Sequence, residues 1–145
     1  MKATRAFVAA AALCILPAIA VAQETRPYTD GPVVNVTYVR VKPGHFDDYM
    51  RHLGGMYRKQ MDAFQKAGLV TSYKVYSVAP RSPAEPDVIL TVTYPNMAAL
   101  DKSQEFDKIG AQVAGSFSAQ DKAFAERGSM RDILGSALMR EVVLK

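Results

Sequence analysis

The 145-residue chain carries 18 Lys and Arg against 14 Asp and Glu, a formal charge of +4, with one cysteine, two histidines and no tryptophan. This length suits one ordinary domain, and no basic tract with interleaved aromatic residues marks a nucleic-acid surface. A single cysteine rules out an intrachain disulfide, and two histidines leave little for a zinc or thiolate centre.

Residues 1–22 read as a secretory signal peptide. Lys2 and Arg5 form its basic start and Ala6–Ile19 its apolar run. Ala20-Val21-Ala22 then supplies the small residues that signal peptidase accepts, which places cleavage before Gln23. The run falls short of the roughly 20 apolar residues of a membrane helix. Leu13 ahead of Cys14 is too large for a lipoprotein signal. Cleavage removes 22 of the 145 residues, leaving 123, and takes away the only cysteine. Loss of Lys2 and Arg5 lowers the formal charge from +4 to +2. The mature protein is therefore expected to be exported, periplasmic or secreted. It needs a core that is stable without disulfides, and has no membrane span and no nucleic-acid partner.

Residues 23–32, with Pro27, Pro32 and Thr29-Asp30-Gly31, read as an exposed leader to a single domain over 33–145. Val33–Val41 alternates as a strand, with Val34, Val36 and Tyr38 on one face and Val39 and Val41 on the other. Lys42-Pro43-Gly44 ends it and opens a helix to about Ala67. Asp47 and Asp48 complement the positive end of that helix's dipole, and Gly68 is placed to stop it. Leu69–Ala79 is expected as a second strand. Pro80–Pro86, with three prolines, is a loop, and Asp87–Tyr94 a third strand. Asn96 caps a helical stretch to Lys102. Ser103 starts another, to Arg127, interrupted near Gly115, with Phe106, Ile109, Val113 and Phe117 at helical spacing. Leu134–Leu144 closes the chain as a strand. The order β-α-β-β-α-β is the ferredoxin-like α+β arrangement, a four-stranded antiparallel sheet with helices on one face. Apolar residues on both faces of every strand predict that a second copy covers the other face, forming a homodimer.

No glycine-rich dinucleotide or phosphate loop, zinc helix or nucleophile elbow occurs, and the residues call for no cofactor or metal. The first helix carries the most chemistry. At 100° per residue, Phe46, Met50, Leu53, Tyr57, Met61 and Phe64 form an apolar stripe. Asp47, Arg51, Arg58 and Asp62 lie opposite, and His45, Asp48, Tyr49 and His52 gather along one border. Asp48 and His52, four apart, read either as a solvated surface pair or as a base with its carboxylate orienter. Gly54-Gly55 in mid-helix costs on the order of 1 kcal/mol per glycine relative to alanine, and calls for a kink, a close backbone approach or a ligand hollow. Tyr38, Tyr49, Tyr94 and His45 are the candidate ligand contacts. Strand tyrosines are more often core, yet a buried hydroxyl needs a partner. Arg40, Arg131 and Arg140 either bind an anion or lie at a surface.

The stretch Ile89–Phe106, ILTVTYPNMAALDKSQEF, resembles one half of the dimeric α/β-barrel domains of antibiotic-biosynthesis-monooxygenase-like, EthD-like and NIPSNAP-like proteins. So do Val41-Lys42-Pro43-Gly44, with Phe46 just beyond, and Leu100-Asp101-Lys102-Ser103 running to Phe106. The resemblance spans Val33–Leu144 and implies a barrel built from two copies, with a ligand pocket between the sheet and its helices. Such families include cofactor-free oxygenases of phenolic polyketides, haem-degrading enzymes and isomerases. Haem-degrading members carry a tryptophan near the place of Leu100 and a ligating histidine near that of Gly110. Neither is present here, and the tryptophan of the phenol oxygenases is missing too. Two readings follow. One is a dimer that binds a small apolar or aromatic ligand without a catalytic constellation. The other is a cofactor-independent monooxygenase-like or isomerase-like enzyme, with His52 as base beside Asp48.

Overall fold

The structure, a computed structural model, describes residues 26–145. The signal peptide expected at 1–22 lies outside the described residues. Strand β1 (Tyr28–Val41) leads through α1 (Phe46–His52), a π-helical turn (Leu53–Tyr57) and α2 (Arg58–Lys66) to β2 (Ser72–Ser77) and β3 (Val88–Tyr94). A 3-10 turn (Met97–Asp101), α3 (Ser103–Ala114), α4 (Phe117–Met130) and β4 (Arg131–Leu144) complete the order. The strands form one antiparallel sheet in the order β2-β3-β1-β4, so the fold is the ferredoxin-like one expected.

Local chemistry sets the boundaries. The first helical segment ends in a Schellman motif. Gly68 (φ 72°) donates to the Gln65 carbonyl and Leu69 to that of Phe64, with Leu69 and Phe64 packed in the core beneath. Those bonds keep Leu69 and Val70 out of the strand expected to begin there, and β2 starts only at Ser72. Asn96 caps the 3-10 turn by accepting from the Ala99 N–H at 3.1 Å. Gly115 (φ 95°) breaks the last helical stretch, and the Ser116 hydroxyl accepts from Ala119 at 3.1 Å to start α4. At the chain ends the sheet is longer than alternation predicts. β1 begins at Tyr28 rather than Val33, because Tyr28, Thr29 and Asp30 pair with Leu144, Val143 and Val142. β4 begins at Arg131, opposite Val41.

Partners in register share a face. Val39, Val88, Leu90, Val92 and Tyr94 point to the helices and pack with Tyr49, Leu53, Tyr57, Met61 and Phe64. One placement on the helix is corrected. Phe46, expected on the apolar stripe, is 43% exposed, whereas Tyr49, expected at its border, is fully buried. The buried row runs 49, 53, 57, 61, a four-residue spacing carried through the π turn. That spacing drifts away from a regular 100° wheel.

Candidate functional site

The helix start does not build the pair the spacing predicted. The Asp48 carboxylate accepts a hydrogen bond from the Arg51 guanidinium and lies 3.5 Å from His45 Nδ1. Arg51 first and His45 second hold its pKa below the usual carboxylate range. The Asp48–His52 hydrogen bond is replaced because a full cation one turn along outcompetes a neutral imidazole. His52 turns the other way. Its ring stacks on Tyr49 at 6.4 Å with a 10° interplanar angle, and its Nε2 is buried with no hydrogen-bond partner. Burial, then Arg127 and Arg131, lowers the imidazole pKa, which leaves it uncharged at neutral pH.

Tyr49 and Tyr57 project inward from the same helix face, eight residues apart with Leu53 between them. The Tyr49 hydroxyl accepts a hydrogen bond from Arg131, whose guanidinium also stands 5.3 Å over the ring. Tyr57 has no such partner: its hydroxyl is buried and unbonded. Burial first, and then the neighbouring Tyr49, Tyr73 and Tyr94, pushes it up to about 12. Tyr73 meets Tyr57 edge-on at 6.0 Å and donates its own hydroxyl to Asp62 at 2.6 Å. Tyr94, on the helix-facing side of β3, packs edge-on to Phe106 at 6.1 Å. Burial raises its pKa, with the Asn35 side chain pulling the other way. Tyr49, Tyr73 and Tyr94 thus neighbour Tyr57, and none of them hydrogen-bonds its hydroxyl.

A hollow of about 280 Å³ opens beside this cluster, lined by Met50, Leu53, Gly54, Tyr57, Arg58, Tyr73 and Val75. Gly54 contributes bare backbone. A Cβ built there or on Gly55 would meet nothing within 4 Å. Close packing therefore does not explain the two glycines; both sit in the π turn, and Gly54 lines the hollow. π turns cluster at functional sites, because the widened backbone re-aims side chains.

The remaining candidates lie elsewhere. Tyr38 pairs with Ile89 and so occupies the sheet face opposite to Tyr94, which pairs with Val33. Tyr38 and Tyr94 therefore cannot line one pocket of a single chain. His45 stays at the helix entrance with Asp48. A larger hollow, about 470 Å³, lies between the start of β1 and the turn after β3, where Arg140 is already bonded to Asp30 at 2.9 Å. Among the described residues no three His, Cys, Asp or Glu gather as a metal cage, and no helix is long and apolar enough to cross a membrane. Tyr57 and Arg127, each with a buried and unpartnered polar atom, are not among the candidates named from the sequence. Tyr57 was legible as a hydroxyl set in the apolar stripe one turn from the glycine pair. Arg127 gave no signal, because its surroundings come from three separate helical segments.

No family model and no curated protein matches the chain. Solved structures do. The chain is similar to HapK from Hahella chejuensis (10% identity, TM-score 0.53, 75% of this chain and 91% of that one). It is also similar to protein SO0527 from Shewanella oneidensis (16%, 0.50, 80% and 96%). A third match is a dimeric ferredoxin-like protein from an uncultured marine organism (10%, 0.51, 79% and 90%). At these identities the likeness establishes the ferredoxin-like fold.

Proposed function

We propose that this chain is an exported homodimer that binds a small, largely apolar or aromatic molecule in the hollow between the π turn and β2. One observation carries the reading: Tyr57 buries a hydroxyl with no partner and lines a largely apolar hollow together with Gly54. An unmade buried hydrogen bond costs about 1–3 kcal/mol, and a ligand hydroxyl or carbonyl would recover it. The volume suits a ligand of one or two rings. The export part rests on the basic, apolar and small-residue pattern of residues 1–22. Support for the dimer comes from the bare edge of β4 and from the dimeric, ferredoxin-like protein of like fold.

Base catalysis by His52 has less behind it. Its buried Nε2 borders a cavity of only about 10 Å³, and Asp48 is engaged by Arg51.

2-Naphthol, a fluorescent phenol that matches the hollow in size and polarity, tests the proposal. Wild type is expected to bind it saturably. Gly54→Leu, whose side chain has room but fills the hollow, should weaken binding at least tenfold. Tyr57→Phe should weaken it about fivefold, the equivalent of one hydrogen bond near 1 kcal/mol. Equal affinity in wild type and Gly54→Leu would sink the assignment.

A further inference from the structure

The first helical segment, α3 and α4 border a further, much smaller cavity, in which a few nitrogen-bearing side chains converge among the apolar Met56, Ala114 and Ala123. Its volume is about 10 Å³, and His52, Gln60, Gly110, Gln120 and Arg127 supply its polar and backbone lining. Two nitrogens there, His52 Nε2 and Arg127 Nε, are buried with no hydrogen-bond partner. Gly110 is backbone only, and it is crowded. A Cβ at that position would stand 2.7 Å from Gln120 Nε2 and 2.9 Å from Gln60 Nε2, so both amide nitrogens approach the same spot. No lining residue is acidic, and among the described residues no carboxylate lies within ion-pair reach of Arg127.

We propose that this cavity is a binding site for one small inorganic anion of chloride or bromide size. Its polar lining offers several N–H donors: the guanidinium of Arg127, the Gln60 and Gln120 Nε2 groups that converge at Gly110, and His52 as its Nε2–H tautomer. Water satisfies several convergent N–H donors poorly, because it accepts only two hydrogen bonds. A monoatomic anion accepts from every direction and meets the unpaired Arg127 charge. The volume admits one species of about that size and excludes sulfate, phosphate or a carboxylate. The charged groups facing His52 are Arg127 and Arg131, with Glu126 opposing them. A bound anion would therefore favour the protonated imidazole. This site is separate from the Gly54 hollow and does not depend on it.

Crystals of the purified protein grown in sodium bromide should show an anomalous peak within hydrogen-bond distance of Arg127 Nε. In solution, chloride and bromide should raise the melting temperature saturably, beyond sodium sulfate at equal ionic strength. They should also raise the His52 pKa read by imidazole NMR. Arg127→Met should abolish both responses. Gly110→Ala, which intrudes on the cavity while keeping every charge, should weaken them at least tenfold. The proposal is overturned by the absence of a bromide peak at that position. It is equally overturned if sulfate reproduces the response, or if both variants respond like wild type.

Discussion

Two tyrosines on one helix face show how much depends on a single partner. Tyr49 and Tyr57 are both buried, yet the hydroxyl of Tyr49 receives Arg131 and that of Tyr57 receives nothing. Hydroxyl deletion should therefore act in opposite directions. Tyr49→Phe removes an acceptor from a charged donor and is expected to cost about 1–2 kcal/mol in urea unfolding at fixed protein concentration. Tyr57→Phe removes a hydroxyl already without a partner and should leave stability unchanged or raise it by up to about 1 kcal/mol. A comparable loss in both variants would mean that Tyr57 has a structural partner, which would remove the reason for placing a ligand there. Sequence made both residues visible as aromatic and inward-facing, but not this difference. Arg131 lies 82 positions from Tyr49, and only the pairing of β4 with β1 brings it close.

At the scale of elements, the widened turn at Leu53–Tyr57 joins α1 and α2 and carries both glycines. Their cost relative to alanine, on the order of 1 kcal/mol each, is not offset by close packing, since nothing lies within 4 Å of either missing Cβ. Gly54→Ala and Gly55→Ala are therefore expected to raise the thermal midpoint of the ligand-free protein. Gly54→Ala should at the same time weaken 2-naphthol binding, because its methyl enters the hollow. A lowered midpoint in both variants would show that the turn needs glycine for its backbone geometry, not for the space above it. The glycine pair was legible as an anomaly in an otherwise regular helix. Its form was not, because a π turn depends on how the flanking segments seat on the sheet.

For the whole molecule, the decisive feature is β4. It is an edge strand of 14 residues that pairs only with β1. Ile133, Leu134, Leu138, Met139, Val142, Val143 and Leu144 along it are exposed. Register with β1 places Leu138 on the helix-facing side and Met139 on the other, so neither helices nor sheet cover the strand. A long, bare, apolar edge is a liability that proteins ordinarily cover. The double variant Leu138→Lys, Met139→Lys should shift the protein from dimer to monomer in light scattering after gel filtration. A dimer that persists in this variant would place the interface elsewhere, with the exposed Phe117 and Phe124 of α4 as the next surface to probe.

Period and punctuation in the sequence determined the element order, the Asn96 cap, the breaks at Gly68 and Gly115 and the antiparallel class of the sheet. Each depends on residues within a few positions of one another. Tertiary packing alone decided which partner each ionisable group keeps. It gave Asp48 to Arg51, set His52 and Arg127 around Gly110, and left Tyr57 unpaired beside the Gly54 hollow. Those outcomes turn on desolvation and on competition among donors from segments distant in sequence, neither of which a local pattern encodes.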